Sequence, residues 1–101
     1  MIDEKIFSTI GVLLNELIVN SIKHAFNETL CGIINFSFLK INGNIRIIFQ
    51  DNGLGFPKSF SIDNCDNSFG MKLIKMLILK LNGSICISND NGAKYVITFP
   101  I

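Results

Sequence analysis

The sequence predicts a two-layer α/β sandwich, with a mixed, mainly antiparallel sheet and helices packed on one of its faces. Three observations carry this. Two stretches place apolar residues at helical spacing, four shorter stretches have strand character, and the strands fall into pairs across turn-forming residues, Asn42-Gly43 and Asn89-Asp90-Asn91-Gly92. The order is helix, two strands, loop, helix, two strands. Short turns favour antiparallel pairing within each pair, and a single apolar face on each helix favours layering both on the same side of the sheet.

The first helix is set by Ile10, Leu13, Leu14, Leu17, Ile18, Ser21 and Ala25, which gather into one stripe at about 100° per residue. Glu16, Asn20, Lys23, His24 and Asn27 line its edge. Glu16 and Asn20 are four apart, as are Asn20 and His24, so an α-helix projects all three from adjacent turns of one surface. A polar helix edge is ordinarily a solvated flank. Asn20 is the exception, because a poor helix former sits among apolar neighbours where Ala, Leu or Lys would stabilise the helix better.

Asn27 to Thr29 breaks the pattern, and Cys31 to Leu39 reads as a half-buried strand through Ile33, Phe36 and Phe38. Beyond Asn42-Gly43, Asn44 to Gln50 puts Ile45, Ile47 and Phe49 on one face, and the strand stops at Asp51-Asn52-Gly53-Leu54-Gly55-Phe56-Pro57. Taken alone this is a strand-ending turn, although its glycines also permit close approach of a ligand. From Lys58 to Ser68 no period holds, which reads as a mobile loop. Helical spacing resumes near Gly70 with Met71, Ile74, Leu77, Ile78 and Leu81 as the apolar stripe, and Asn82-Gly83 is its stop. Ser68 can cap this helix, and its start, beside Gly70 and Lys72, is also suited to an anion. The last strands run about Ser84 to Ser88 and Lys94 to Pro100.

The chain has 101 residues, 49% of them hydrophobic and 17% charged, which predicts a single domain over 1–101 without repeat or internal linker. A chain of this size buries roughly two-thirds of its unfolded surface. A net charge of +1 gives no bulk electrostatic reason to bind nucleic acid or an anionic membrane. Cys31, Cys65 and Cys86 are odd in number and lack a Cys-x-x-Cys pair, which argues against a disulfide framework or zinc site and for a reducing, cytoplasmic setting. No run reads as the roughly 18 apolar residues of a membrane span, and Met1 to Lys5 lacks signal-peptide character, so no direct membrane contact is expected.

In combination and in this order, the segments resemble the ATP-binding domain of the GHKL, or Bergerat-fold, superfamily, shared by sensor histidine kinases, type II topoisomerases, heat-shock chaperone ATPases and mismatch-repair proteins. Leu14 to Phe26, LNELIVNSIKHAF, looks like its N box, Asp51 to Gly55 like its first glycine box, and Ser68 to Met71 like a short second one. The Lys-His-Ala-Phe ending and the compact middle loop look most like bacterial sensor histidine kinases with a short ATP lid, here about 58–69.

The resemblance implies roles that suit the chemistry of the residues. Asp51 would accept a hydrogen bond from the exocyclic amine of adenine, since a carboxylate offers only acceptors and would repel the carbonyl of guanine. Asn20 would bind Mg²⁺ through its amide oxygen, and Glu16 would orient a water on that metal or act as general base. Lys23 and His24 would approach the phosphates, while Ser68, Gly70 and Met71 would supply the cradle. Gly53 and Gly55 would let the loop lie against the nucleotide, with Leu54 and Phe56 walling the base.

The activity implied is phosphoryl transfer from ATP, as an ATP-dependent protein histidine kinase, to a histidine on a separate dimerisation and phosphoacceptor domain of the parent protein, and indirectly to a response regulator. His24 is the sole histidine and lies inside the nucleotide motif, so it is not the expected acceptor. A serine kinase of the anti-sigma-factor type and a nucleotide-binding module without catalysis are the alternatives. The sequence departs from the family in three places. The second glycine box keeps only Gly70, Ala93 stands where relatives often place threonine, and the N box begins so early that the preceding strand and helix have no counterpart. The lost threonine hydroxyl is worth about 1 kcal/mol of adenine contact.

Overall fold

The computed structural model describes residues 4–25, 32–56 and 69–101. Helix α1 spans Glu4–Asn20 and passes directly into a π-helical turn, Ser21–Ala25. Strands β1 (Ile34–Ile41) and β2 (Asn44–Asp51) form a hairpin, helix α2 covers Phe69–Lys80, and β3 (Ser84–Asn89) and β4 (Ala93–Pro100) form a second hairpin. The sheet order is β1-β2-β4-β3, and all three pairings are antiparallel. The sheet of the described residues is therefore wholly antiparallel, where the sequence predicts a mixed, mainly antiparallel one.

The turns follow from their residues. Asn42 and Gly43 take φ of 49° and 81°, the left-handed pair of a two-residue hairpin whose twist matches that of its strands. At the end of α2, Asn82 adopts φ of 56° and the Gly83 N–H donates to the Ile78 carbonyl at 2.9 Å, closing the helix in a Schellman pattern.

The core lies between the helices and one sheet face. Ile10, Leu13 and Leu17 of α1, and Met71, Ile74, Leu77, Ile78 and Leu81 at and beyond α2, bury against Ile45, Ile47 and Phe49 of β2 and Tyr95, Ile97 and Phe99 of β4. Both helical stripes and the β2 face thus lie where the periodicity places them. Contrary to the expectation that no run reads as a membrane span, Glu4–Lys23 is long and apolar enough, by length and composition, to cross one. Within it Ile10, Leu13 and Leu17 pack into the core.

Strand β1 departs from expectation. It starts at Ile34, not Cys31, and its inward-facing Phe36 and Phe38 are 55% and 44% exposed. Register pairs them with buried Phe49 and Ile47, so they stand on the helix side of the sheet. The cause is position: β1 is an edge strand, and neither helix has its main contacts with it.

Candidate functional site

The site is assembled at the ends of α1, β2 and β4. Asp51, the last residue of β2, is 3% exposed, and its carboxylate accepts three hydrogen bonds. The Gly53 and Ala93 N–H groups donate to Oδ1, each at 3.0 Å. The Ser21 hydroxyl donates to Oδ2 at 2.8 Å, joining the end of the first helix to the end of β2. A carboxylate offers about four acceptor positions, so Oδ2 retains one.

Gly92 makes this convergence possible. Its φ is 142°, and a Cβ there would collide with the Asp51 carbonyl oxygen and come within 3.0 Å of the Asn52 Cα. Only a residue without a side chain lets the β3–β4 turn lie against the end of β2 and bring the Ala93 N–H to Asp51. Ala93 itself is buried, and in this chain its backbone, not its side chain, makes the polar contact.

The segment after Asp51 is held from β3. Asn89 accepts from the Phe56 N–H at 2.7 Å and donates to the Phe56 carbonyl at 3.0 Å. Gly55, at φ of 78°, permits the approach, since a Cβ there would meet the Asn89 side-chain oxygen at 2.6 Å. The Phe56 ring stands edge-on to Tyr95 at 5.3 Å between centroids, and Tyr95 is edge-on to Phe49 at 5.8 Å. Leu54 is exposed. Burial first, and then the neighbouring Asp51 charge, push the Tyr95 phenol up to about 12, while a hydrogen bond with the Asn20 side chain opposes the rise.

Asn20 ends α1, and its amide nitrogen donates to Met71 Sδ, in the first turn of α2, at 3.3 Å. Asn20 and Ser21, adjacent in sequence, therefore touch the start of α2 and the end of β2 respectively. Glu16 is half-buried one turn earlier, Lys23 is exposed, and Gly70 lies in the first turn of α2. Ser68, and nearly all of the 58–69 segment read as a lid, lie outside the described residues, as do Phe26 and the side chain of His24.

One expectation is corrected. The α-helical geometry expected through the first helix does not continue beyond Asn20, because Ser21–Ala25 winds as a π-helix, with i→i+5 bonding in place of i→i+4. Ser21 is buried, as the apolar stripe places it, and within the π-turn its hydroxyl also meets Asp51. Ser21, Asn89, Tyr95 and the Ala93 N–H are members of the cluster that sequence reasoning missed. A hydroxyl within an apolar stripe was the one signal for Ser21; Asn89 and Tyr95 carried only the patterns of a turn and a strand.

The family described as "Histidine kinase-, DNA gyrase B-, and HSP90-like ATPase" matches residues 8–101. The chain belongs to this ATPase family. Among relatives of this ATPase domain, the sensor histidine kinase PdtaS of Mycobacterium tuberculosis is 27% identical over 94 residues, covering 89% of the chain and 19% of PdtaS. Blue-light-activated histidine kinase 2 of Erythrobacter litoralis is 24% identical over 88 residues, 86% of the chain and 25% of that protein. The chain thus spans a quarter or less of the curated relatives it matches. In fold it is similar to the histidine kinase domain of the Erythrobacter litoralis EL346 blue-light-activated kinase, with a TM-score of 0.80 at 23% identity, covering 91% of this chain and 43% of that one. The ATP-binding domain of PrrB from Mycobacterium tuberculosis gives 0.78 at 20% identity, with 92% and 67% covered.

Proposed function

We propose that this ATPase-family domain is the catalytic part of a sensor histidine kinase, which binds Mg-ATP and presents the γ-phosphate to a histidine on a separate dimerisation domain, in the cytoplasm, with a response regulator downstream. The observation that carries the reading is the junction at Asn20-Ser21. It ties an acceptor suited to a base, Asp51, to a helix start suited to phosphate, across adjacent residues of one helix.

The residues fit both groups. The remaining acceptor position on Oδ2 suits one N–H donor such as the adenine amine, and Phe56, edge-on to Tyr95, would wall the base. Among the described residues no three His, Cys, Asp or Glu side chains gather as a metal cage. A cation held here would take the Asn20 amide oxygen together with triphosphate oxygens and water, a ligand set that suits Mg²⁺. Bound Mg²⁺ would neutralise charge on the β- and γ-phosphates. Glu16 would orient a water near that end as general base, Lys23 and His24 would approach the phosphates, and the Gly70 and Met71 backbone, with Ser68 before it, would cradle them.

Calorimetric titration with Mg-ATP and Mg-GTP tests the site. Asp51→Asn replaces an acceptor with a donor facing the base amine, so ATP affinity falls about 10–100-fold, the worth of one hydrogen bond to a charged acceptor. Asn20→Ala weakens ATP binding and flattens its dependence on Mg²⁺. Equal ATP binding by all three proteins refutes the assignment. ATP binding without phosphorylation of a supplied cognate acceptor domain refutes the kinase and leaves a nucleotide-binding module.

A further inference from the structure

We infer that Ser21 is a positioning residue for base selection, setting which acceptor position of Asp51 is presented to the nucleotide. The inference rests on the reading that Asp51 meets the base amine. It adds a determinant that lies on a different element and acts through that carboxylate.

Oδ1 is already used by the Gly53 and Ala93 N–H groups, each at 3.0 Å, so base recognition falls to Oδ2. Ser21 Oγ donates to Oδ2 at 2.8 Å, and both residues are buried, at 2% and 3% exposure. An O–H donor on an ionised acceptor is among the stronger hydrogen bonds of a protein, and in a buried site it fixes the torsion of the carboxylate as well as its energy. With one lone-pair position taken, Oδ2 presents a single directed acceptor, which accommodates one N–H and opposes a carbonyl oxygen. Without the hydroxyl, the freed position and the vacated volume admit water. The carboxylate then satisfies itself without a base amine, and the energetic difference between bases with and without that amine shrinks. The π-helical turn is part of the arrangement, since it is at Ser21 that the helix leaves α-geometry.

The discriminating measurement compares affinity for Mg-ATP with that for Mg-purine-riboside triphosphate, which lacks only the exocyclic amine, in the 101-residue chain and in Ser21→Ala. The unsubstituted protein is expected to favour ATP by about 10–100-fold, the worth of a hydrogen bond to a charged acceptor. Ser21→Ala is expected to cut that ratio at least threefold while leaving affinity for the amine-free nucleotide unchanged. Equal weakening toward both nucleotides makes the hydroxyl merely structural and overturns the inference, as does an unchanged ratio. If the unsubstituted protein itself fails to distinguish the two, the underlying reading of Asp51 falls, and this inference with it. Should Ser21→Ala not fold by circular dichroism, Ser21→Cys retains a weak donor of similar shape, and the same ratio is read from it.

Discussion

Gly92 offers the sharpest test of how the site is built, because its neighbour in kind, Gly43, provides an internal control. Both glycines have positive φ, 142° and 81°, and both sit in hairpin turns. A Cβ on Gly43 meets nothing within 4 Å, whereas one on Gly92 runs into the Asp51 carbonyl oxygen, with the Asp51 carbonyl carbon at 2.8 Å and the Asn52 Cα at 3.0 Å. Gly43→Ala therefore incurs backbone strain alone, about 1–2 kcal/mol, reduced by about 0.4–1 kcal/mol through the lower entropy of the unfolded chain. The net cost is about 1 kcal/mol, a fall in Tm of roughly 4–8 °C for a domain of this size. Gly92→Ala carries at least that strain, since φ of 142° lies farther from the left-handed well, and must also push β4 away from β2. That removes the Ala93 bond to a charged acceptor, about 1.5–3 kcal/mol. The total of about 2.5–4 kcal/mol is a large share of the ~5–15 kcal/mol by which such domains are stable, and Tm should fall by roughly 10–32 °C. Thermal and urea denaturation of the two variants, read by circular dichroism, check this. A Gly92→Ala protein no less stable than Gly43→Ala refutes the claim that close approach at Asp51 is what demands glycine there.

Two further expectations follow from the aromatic and Asn89 contacts. Tyr95 binds its proton more tightly when folded, about 12 against an ordinary 10.0, so its contribution to stability is fully present below pH 10 and lost as pH rises from about 10 toward 12. At roughly 1.4 kcal/mol for each tenfold gain in proton affinity, the loss across that interval is on the order of 2–3 kcal/mol. Urea denaturation at pH 9 and pH 11.5 should therefore show a larger decline for the unsubstituted protein than for Tyr95→Phe, and equal declines contradict the burial of a neutral phenol. Asn89→Ala removes both bonds to the Phe56 backbone at an exposed position, so global stability should fall by only about 1–2 kcal/mol. Hydrogen exchange at the Phe56 amide should accelerate well beyond that of the β2 core, and unaltered exchange there would show that Asn89 does not hold the loop.

Much of the fold was legible because it rests on periodicity. The stripes of α2 and β2 depend only on which residues are apolar and how they are spaced, and Ile74, Leu77, Ile47 and Phe49 are buried accordingly. Asn82-Gly83 and Asn42-Gly43 were legible as a helix stop and a turn because their backbone preferences are local. The exposure of Phe36 and Phe38 was not legible, since an alternating pattern describes a strand with one apolar face and says nothing of whether a helix reaches it. For the same reason the contacts that Ser21 and the Ala93 N–H make were not legible. Their partner, Asp51, lies 30 and 42 residues away in sequence, and the contacts depend on a π-turn and on a backbone N–H that no side-chain pattern encodes.

Strand β1 has a bearing on how the protein behaves in concentrated solution. Among the described residues its outer edge carries no partner strand, and beside that edge stand two uncovered phenylalanine rings, 6.1 Å apart, the combination that templates another strand. Lys40 is the single charged side chain along that strand, and like charges brought together disfavour stacking of copies. The protection of this edge therefore rests on one ammonium group: raising the salt screens it, and acetylating it leaves the strand with no charge at all.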